Sequence, residues 1–276
     1  NNTGQTSGTS GEDANVTAVW NSYNGSGVVI SVIDDGVEHS HPDLNTNYLS
    51  QHSYDWCGDD PDPDPNSWDG HGTAVAAAIE DSIYNGRSGR GNMYTWAAGN
   101  GLEANDNSNY DGYASLRYAI AVSAITHYGD QSWYSEPGAN ILVTAHSNGG
   151  TPDYEGITTT DITGTGGYSG GDVNHDFGGT SSATPLVSGV IALILESNPD
   201  LTWRDVQNIL VHSSRKNDVN DSSWTVNGGG LNVSHKYGFG AVDAGAAVSL
   251  AENWTSSGEE VNATFGPFTE NLVIDN

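Results

Sequence analysis

Ser181 stands in the segment Gly179-Thr180-Ser181-Ser182-Ala183-Thr184-Pro185, immediately before an apolar run over 186–195. A serine in that place opens a buried helix, and a helix N-terminus presents unpaired N–H groups and a partial positive charge. It can attack a carbonyl while its own N–H helps to hold the oxyanion. Pro185 is compatible, because the first helical turn tolerates a missing donor. Taken alone, the segment reads equally well as a Thr/Ser-capped core helix. Two upstream motifs bear on that choice. Asp34 follows the β-branched run 28–33, which predicts a buried strand carrying a carboxylate at its C-terminal end. His71, in Asp69-Gly70-His71-Gly72-Thr73, precedes the alanine-rich helix former at 74–79. An acid, a base and a nucleophile thus follow in the order Asp, His, Ser. His71 would take the serine proton and pass it to the leaving amine, while Asp34 holds the imidazole tautomer and stabilises the imidazolium.

A further strand, predicted at 93–98, ends in Gly99-Asn100-Gly101. Asn-Gly is ordinarily a tight turn. At the end of a parallel strand, between the histidine and the serine, Asn100 reads as an amide donor to the oxyanion. The Asp, His, Ser order is that of the subtilisin-like proteases, and with the residues above the chain resembles that superfamily, specifically its kexin and furin branch. The resemblance runs from about Glu12 to Trp254. It extends to His41-Pro42-Asp43-Leu44, Asp60-Pro61-Asp62-Pro63, Asp111-Gly112-Tyr113, Trp133-Tyr134-Ser135-Glu136, Asn198-Pro199-Asp200-Leu201-Thr202-Trp203-Arg204-Asp205 and Ser234-His235-Lys236-Tyr237-Gly238-Phe239-Gly240. It implies Asp34, His71 and Ser181 as the triad and Asn100 as the oxyanion residue. It also implies a calcium-dependent endopeptidase that cleaves peptides or proteins after basic, often paired, residues. Asp111 would lie at the base of the pocket before the cut bond, and Asp35 would line the neighbouring pocket. Read without the family, Asp111 is a turn aspartate before glycine.

The acidic residues Asp55, Asp60 and Asp62 sit in a Pro-interleaved segment that cannot be helix or central strand. Hard oxygen ligands on an irregular loop suit calcium, and a solvated acidic loop is the alternative. By resemblance these three match one calcium site of the family and Asp106 with Glu136 part of another. Asp43 matches part of a third, incomplete site.

The chain has 276 residues, and 7 Lys+Arg against 35 Asp+Glu give a formal charge of −28. So anionic a surface argues against nucleic acid or an anionic membrane as partner. It fits adaptation to high salt, attraction of cationic substrates and calcium, or both. The single Cys57 excludes an internal disulfide and reads as a small, partly buried hydrophobe. No unbroken apolar run predicts a transmembrane span. Residues 1–11 form a polar tail without signal-peptide character. The resemblance, with sequons such as Asn15-Val16-Thr17 and Asn232-Val233-Ser234, implies a secreted or extracytoplasmic protein. It also implies an inhibitory pro-segment and a C-terminal β-rich domain outside this sequence.

The elements alternate as in an α/β protein: a subtilisin-like, doubly wound, mostly parallel sheet with helices on both faces. The expected catalytic domain covers 12–255, and 256–276 read as a linker and the start of the β-rich domain. Strands are predicted at 93–98, 119–124 and 141–144, a Gly/Thr-rich loop at 149–171, and a second helix from Thr202. The departure from the family lies between His71 and Asn100. One helix leads there almost directly into the next strand, as if a block had been excised near 79–82. The central strands and cleft-wall segment of relatives are missing. The same features therefore also describe a catalytically impaired or degenerate member that binds basic peptides or a partner.

Overall fold

A computed structural model describes residues 3–4, 7–32, 38–46, 48–49, 75–149 and 155–257, with the backbone alone over 75–81. The centre is a parallel sheet of β1 (Tyr94–Ala97), β2 (Ala119–Ile125) and β3 (Ile141–His146), in that spatial order. β2 is buried at all seven positions. Its continuous apolar run is what a central parallel strand needs when both faces are covered. Helix α2 (Thr180–Ser197) packs across all three strands. Val187, Val190 and Ile194 are fully buried in one core with Ile120, Val122 and Val143 of the sheet. α2 has the length and hydropathy of a membrane span, but it is this packed core helix. α4 (Ala244–Ala251) packs on α2, and α3 (Trp203–Ser213) packs on α4 and β3. At the far edge of β3, Thr144 pairs in parallel with Ala241, and the Ser123 hydroxyl donates to the Lys236 carbonyl.

The N-terminal segment is fastened to this frame by Arg215, which binds the Glu12 carboxylate at 2.7 Å and the Asp13 carbonyl at 2.9 Å. Burial alone would raise the Glu12 carboxyl, but His146 and Arg215 hold it below its ordinary value.

Three expectations change. The run 28–32 forms no strand, and Val29, Ile30 and Val32 are 66, 52 and 73 % exposed. A strand apolar on both faces is buried only between paired neighbours, and among the described residues the sheet ends at β1. The segment 149–171 is not wholly loop. β4 (Ile157–Thr160) pairs antiparallel with β5 (Val173–Phe177). The hairpin is pinned by Glu38, which accepts from the Thr163 N–H and hydroxyl at 2.7 and 2.6 Å. Buried His41 adds a contact from Nε2 to the Asp172 carbonyl. Pro185, finally, lies inside α2 rather than in its first turn. The carbonyl that loses its helical partner is that of Ser181, four residues back. α1 (Val75–Gly89) runs on from the histidine motif and ends where Arg87 and Ser88 turn left-handed.

α3 begins with a capping box between Thr202 and Asp205. The fully buried Asp205 carboxylate also accepts from Trp254 Nε1, the Ser256 hydroxyl and the Ser257 N–H, fixing the chain beyond α4. Burial would raise this carboxyl, but the donors override it and hold it at about 2 against 3.8 for a free aspartate. A depressed folded value makes the ionised form stabilising. Its contribution is complete above the unfolded value and fades as pH falls through about 2. Asp205→Asn is expected to cost about 2 kcal/mol near neutrality. It should also flatten the loss of stability below pH 4, measured by urea denaturation across that range.

Candidate active site

Asp34, Asp35, His71, Asp55, Asp60, Asp62 and Cys57 lie outside the described residues. The described part of the site sits where β1 ends and α2 begins. β1 passes through Ala98 and Gly99 to Asn100, and α2 starts at Thr180 after an N-cap glycine, Gly179. Gly179 has φ 78° and ψ 169°, a region essentially reserved for glycine, and supplies no side-chain cap. The cap comes from across the fold. Asn100 Oδ1 accepts from the Thr180 N–H at 2.8 Å and from its hydroxyl at 3.0 Å. The Gly99 N–H in turn donates to Thr180 Oγ1 at 3.3 Å.

This arrangement fixes the Asn100 amide. A backbone N–H can only donate, so Oδ1 must face Thr180 and the NH₂ group must face the other way. A Cβ built on Gly179 would lie 3.4 Å from Asn100 Nδ2, 3.6 Å from Asn100 Oδ1 and 3.6 Å from the Ser181 nitrogen. The Asn100 amide and the Ser181 nitrogen therefore lie side by side at the Gly179 backbone. Among the described residues neither N–H group has an acceptor. Ser181 and Asn100 are both exposed, whereas Thr180 and Ser182 are buried. The site thus places a solvent-facing serine beside two N–H groups that have no acceptor among the described residues.

The turn 99–101 is clamped from beneath by Glu136. Its Oε1 accepts from the Gly101 N–H at 2.8 Å, and its own N–H donates to the Gly99 carbonyl at 3.2 Å. Gly99, at φ 110°, leaves room for that carboxylate, which a Cβ there would meet at 2.3 Å. Burial pushes the Glu136 carboxyl up; the Gly101 N–H opposes this, and the charges of Asp106 and Asp111 reinforce it. Asp106 and Glu136 converge on Gly101, consistent with a pair of hard oxygen donors for a cation. Among the described residues no three His, Cys, Asp or Glu side chains are grouped to hold a metal. Asp43 is exposed, and its N–H donates to His41 Nδ1 at 3.1 Å. Asp111 is exposed in a turn, its Oδ1 accepting from the Tyr113 and Ala114 N–H groups at 2.7 and 2.8 Å. Its other oxygen has no partner among the described residues.

Thr180 escaped the sequence reading as part of this site; its one local signal is its place before the candidate nucleophile. The cap can be separated from the free donor by substitution. Asn100→Asp keeps the acceptor and is expected to melt like the parent, whereas Asn100→Ala should lose about 1 kcal/mol as the Thr180 N–H goes unpaired. Thermal denaturation of the two variants compares them directly.

The subtilase family (Peptidase_S8) matches residues 25–87 and 78–240, two pieces that meet in the last turns of α1. Human furin is 32% identical over 327 aligned positions, covering 91% of this chain and 40% of that protein. Rat proprotein convertase subtilisin/kexin type 6 is 35% identical, covering 88% of this chain and 33% of that protein. This chain thus spans about 40% of the length of furin. The aligned positions outnumber its 276 residues, so these relatives hold residues that have no counterpart here. Among solved structures, a serine protease of Aeromonas sobria superposes with a TM-score of 0.80 at 23% identity, covering 91% of this chain and 65% of that one. Fervidolysin from Fervidobacterium pennivorans gives 0.63 at 19% identity, with 86% and 46% covered. These likenesses establish the fold as subtilisin-like α/β. The chain belongs to the subtilase family.

Proposed function

We propose that this chain is the catalytic part of a calcium-dependent serine endopeptidase that cleaves after basic residues. The observation that carries the reading is the pair of N–H donors, Asn100 Nδ2 and the Ser181 N–H, that lie together at the start of α2 without an acceptor among the described residues. Ser181 attacks the scissile carbonyl as His71 accepts its proton, and Asp34 orients the imidazole. The charge that develops on the carbonyl oxygen is met by Asn100 and the Ser181 N–H. Because the Asn100 amide is already locked by Thr180, little reorganisation accompanies the reaction. His71 then protonates the leaving amine, and water releases the acyl group by the reverse sequence.

Asp111, with one carboxylate oxygen unpartnered among the described residues, favours a cationic side chain before the cut bond and Asp35 a second one in the neighbouring pocket, in keeping with the overall charge of −28. Asp106 and Glu136 would hold one calcium ion, Asp55, Asp60 and Asp62 another, and Asp43 would be part of a third, incomplete site. Calcium there acts structurally, neutralising a buried carboxylate beneath the 99–101 turn. A secreted or extracytoplasmic setting accords with such sites.

A second reading is an impaired protease that binds basic peptides. It is favoured by the internal segment that relatives hold and this chain lacks, with the two family-matched pieces meeting at 78–87. A fluorophosphonate probe decides between them, because labelling needs an activated serine and an oxyanion hole. Labelling of the parent is expected, with arginine-ending peptides cleaved in preference to leucine-ending ones. Ser181→Ala should abolish labelling and lower hydrolysis by several orders of magnitude without altering the fold. A folded parent that stays unlabelled would leave the impaired reading.

Calcium should raise the melting temperature and a chelator lower it. Glu136→Gln should shrink that shift. Melting that is insensitive to both calcium and chelator, in low and high salt alike, would remove calcium from the proposal.

A further inference from the structure

We propose that Tyr134 is a positioning residue for the nucleophile, acting through the peptide groups of Gly179. The inference rests on the reading of Ser181 as nucleophile. Its basis is a layer of hydroxyl groups directly behind the start of α2. Tyr134 is buried, and its hydroxyl accepts from the Gly179 N–H at 3.0 Å. The same hydroxyl lies 2.7 Å from Ser147 Oγ, and Ser147 Oγ lies 2.6 Å from Ser182 Oγ. Ser182 Oγ in turn reaches the Gly179 carbonyl at 3.2 Å. These contacts close a ring in which each hydroxyl donates once and accepts once: Gly179 N–H to Tyr134, Tyr134 to Ser147, Ser147 to Ser182, and Ser182 back to the Gly179 carbonyl. Ser147 also reaches that carbonyl at 2.8 Å, and the Tyr134 hydroxyl reaches the Asn148 carbonyl and side-chain oxygen at 3.1 and 3.0 Å. Alternative donors thus converge on the same glycine.

Gly179 needs such a hold. With no side chain, its φ 78°, ψ 169° conformation is not imposed by its own sterics, and it makes no cap of its own. Yet this glycine sets where the helix starts, and hence where the Ser181 N–H and hydroxyl point relative to Asn100. The ring fastens the Gly179 N–H to Tyr134 in the β2–β3 connection and its carbonyl to Ser182 and to Ser147 just after β3, while Asn100 fastens Thr180 to the end of β1. Tyr134 touches none of the reacting atoms. Its effect is on orientation, to which rate is sensitive at the level of an ångström.

The test compares the parent chain with Tyr134→Phe, which keeps the ring packing and removes the hydroxyl. Competent sites are counted with a fluorophosphonate, and kcat and KM for an arginine-ending peptide are expressed per titrated site. A fall in kcat of about tenfold with KM nearly unchanged is expected. Hydrogen exchange at the Gly179 amide should quicken by a similar factor, a readout that needs no activity. A role in stability alone would lower the melting temperature and the titrated fraction but leave per-site kcat intact, and that result overturns the proposal. Unchanged exchange at Gly179 overturns it equally. If the folded parent does not label, the reading of Ser181 fails, and exchange at Gly179 still decides whether Tyr134 holds the glycine. Should Tyr134→Phe not fold, Ser147→Ala opens the same ring, and Ser147→Thr, which keeps the hydroxyl, should restore per-site kcat.

Discussion

The candidate site depends on where α2 begins. The hydrogen bond from the Thr180 N–H to Asn100 Oδ1 joins the C-terminal end of β1 to the first residue of that helix. A helix entering a packed core must have its first N–H groups satisfied or leave them facing water. Here one is satisfied by the residue whose other amide atom faces the site, and the next belongs to Ser181 and is left free. Capping and donor placement are therefore one interaction. The sheet and α2 are locked face to face by fully buried Val122, Val187 and Ile194, so the capping partners have little freedom to drift apart.

Charge is distributed with similar economy. All seven cationic side chains are engaged within the structure. Arg87 donates to the Pro199 and Leu201 carbonyls, Arg90 pairs with Asp200, and Arg215 with Glu12. Arg117 and Arg204 lie over the Trp203 ring, Lys216 lies over Trp224, and Lys236 pairs with Asp221. With the cations so used, the remaining carboxylates give the surface a nearly uniform sign. Like charges on such a surface repel over about one Debye length, which shortens from about 10 Å to 3 Å as salt rises from 0.1 to 1 M. The buried carboxylates are handled differently. Asp205 is surrounded by donors that hold its carboxyl low, whereas burial, reinforced by the charges of Asp106 and Asp111, pushes the Glu136 carboxyl up. The second arrangement is one that a cation would stabilise.

Much of this was legible in the sequence. The strands at β1, β2 and β3 and the helices α2 and α3 follow from apolar runs, from the Gly99-Asn100-Gly101 stop after β1 and from the helix expected to begin at Thr202. The roles suggested for Ser181 and Asn100 came from residue type, order and family likeness, all of which are written locally. Only the tertiary structure decided that 29–32 is exposed rather than buried, because burial of a strand is a property of its neighbours. It alone decided that Pro185 lies past the first turn, since the helix start is set by Asn100 from eighty residues away. It also decided that Tyr134, Ser147 and Ser182 meet behind Gly179. Hydroxyl groups carry no periodic signal, and their partners are chosen by how a strand end, a loop and a helix start come together in space.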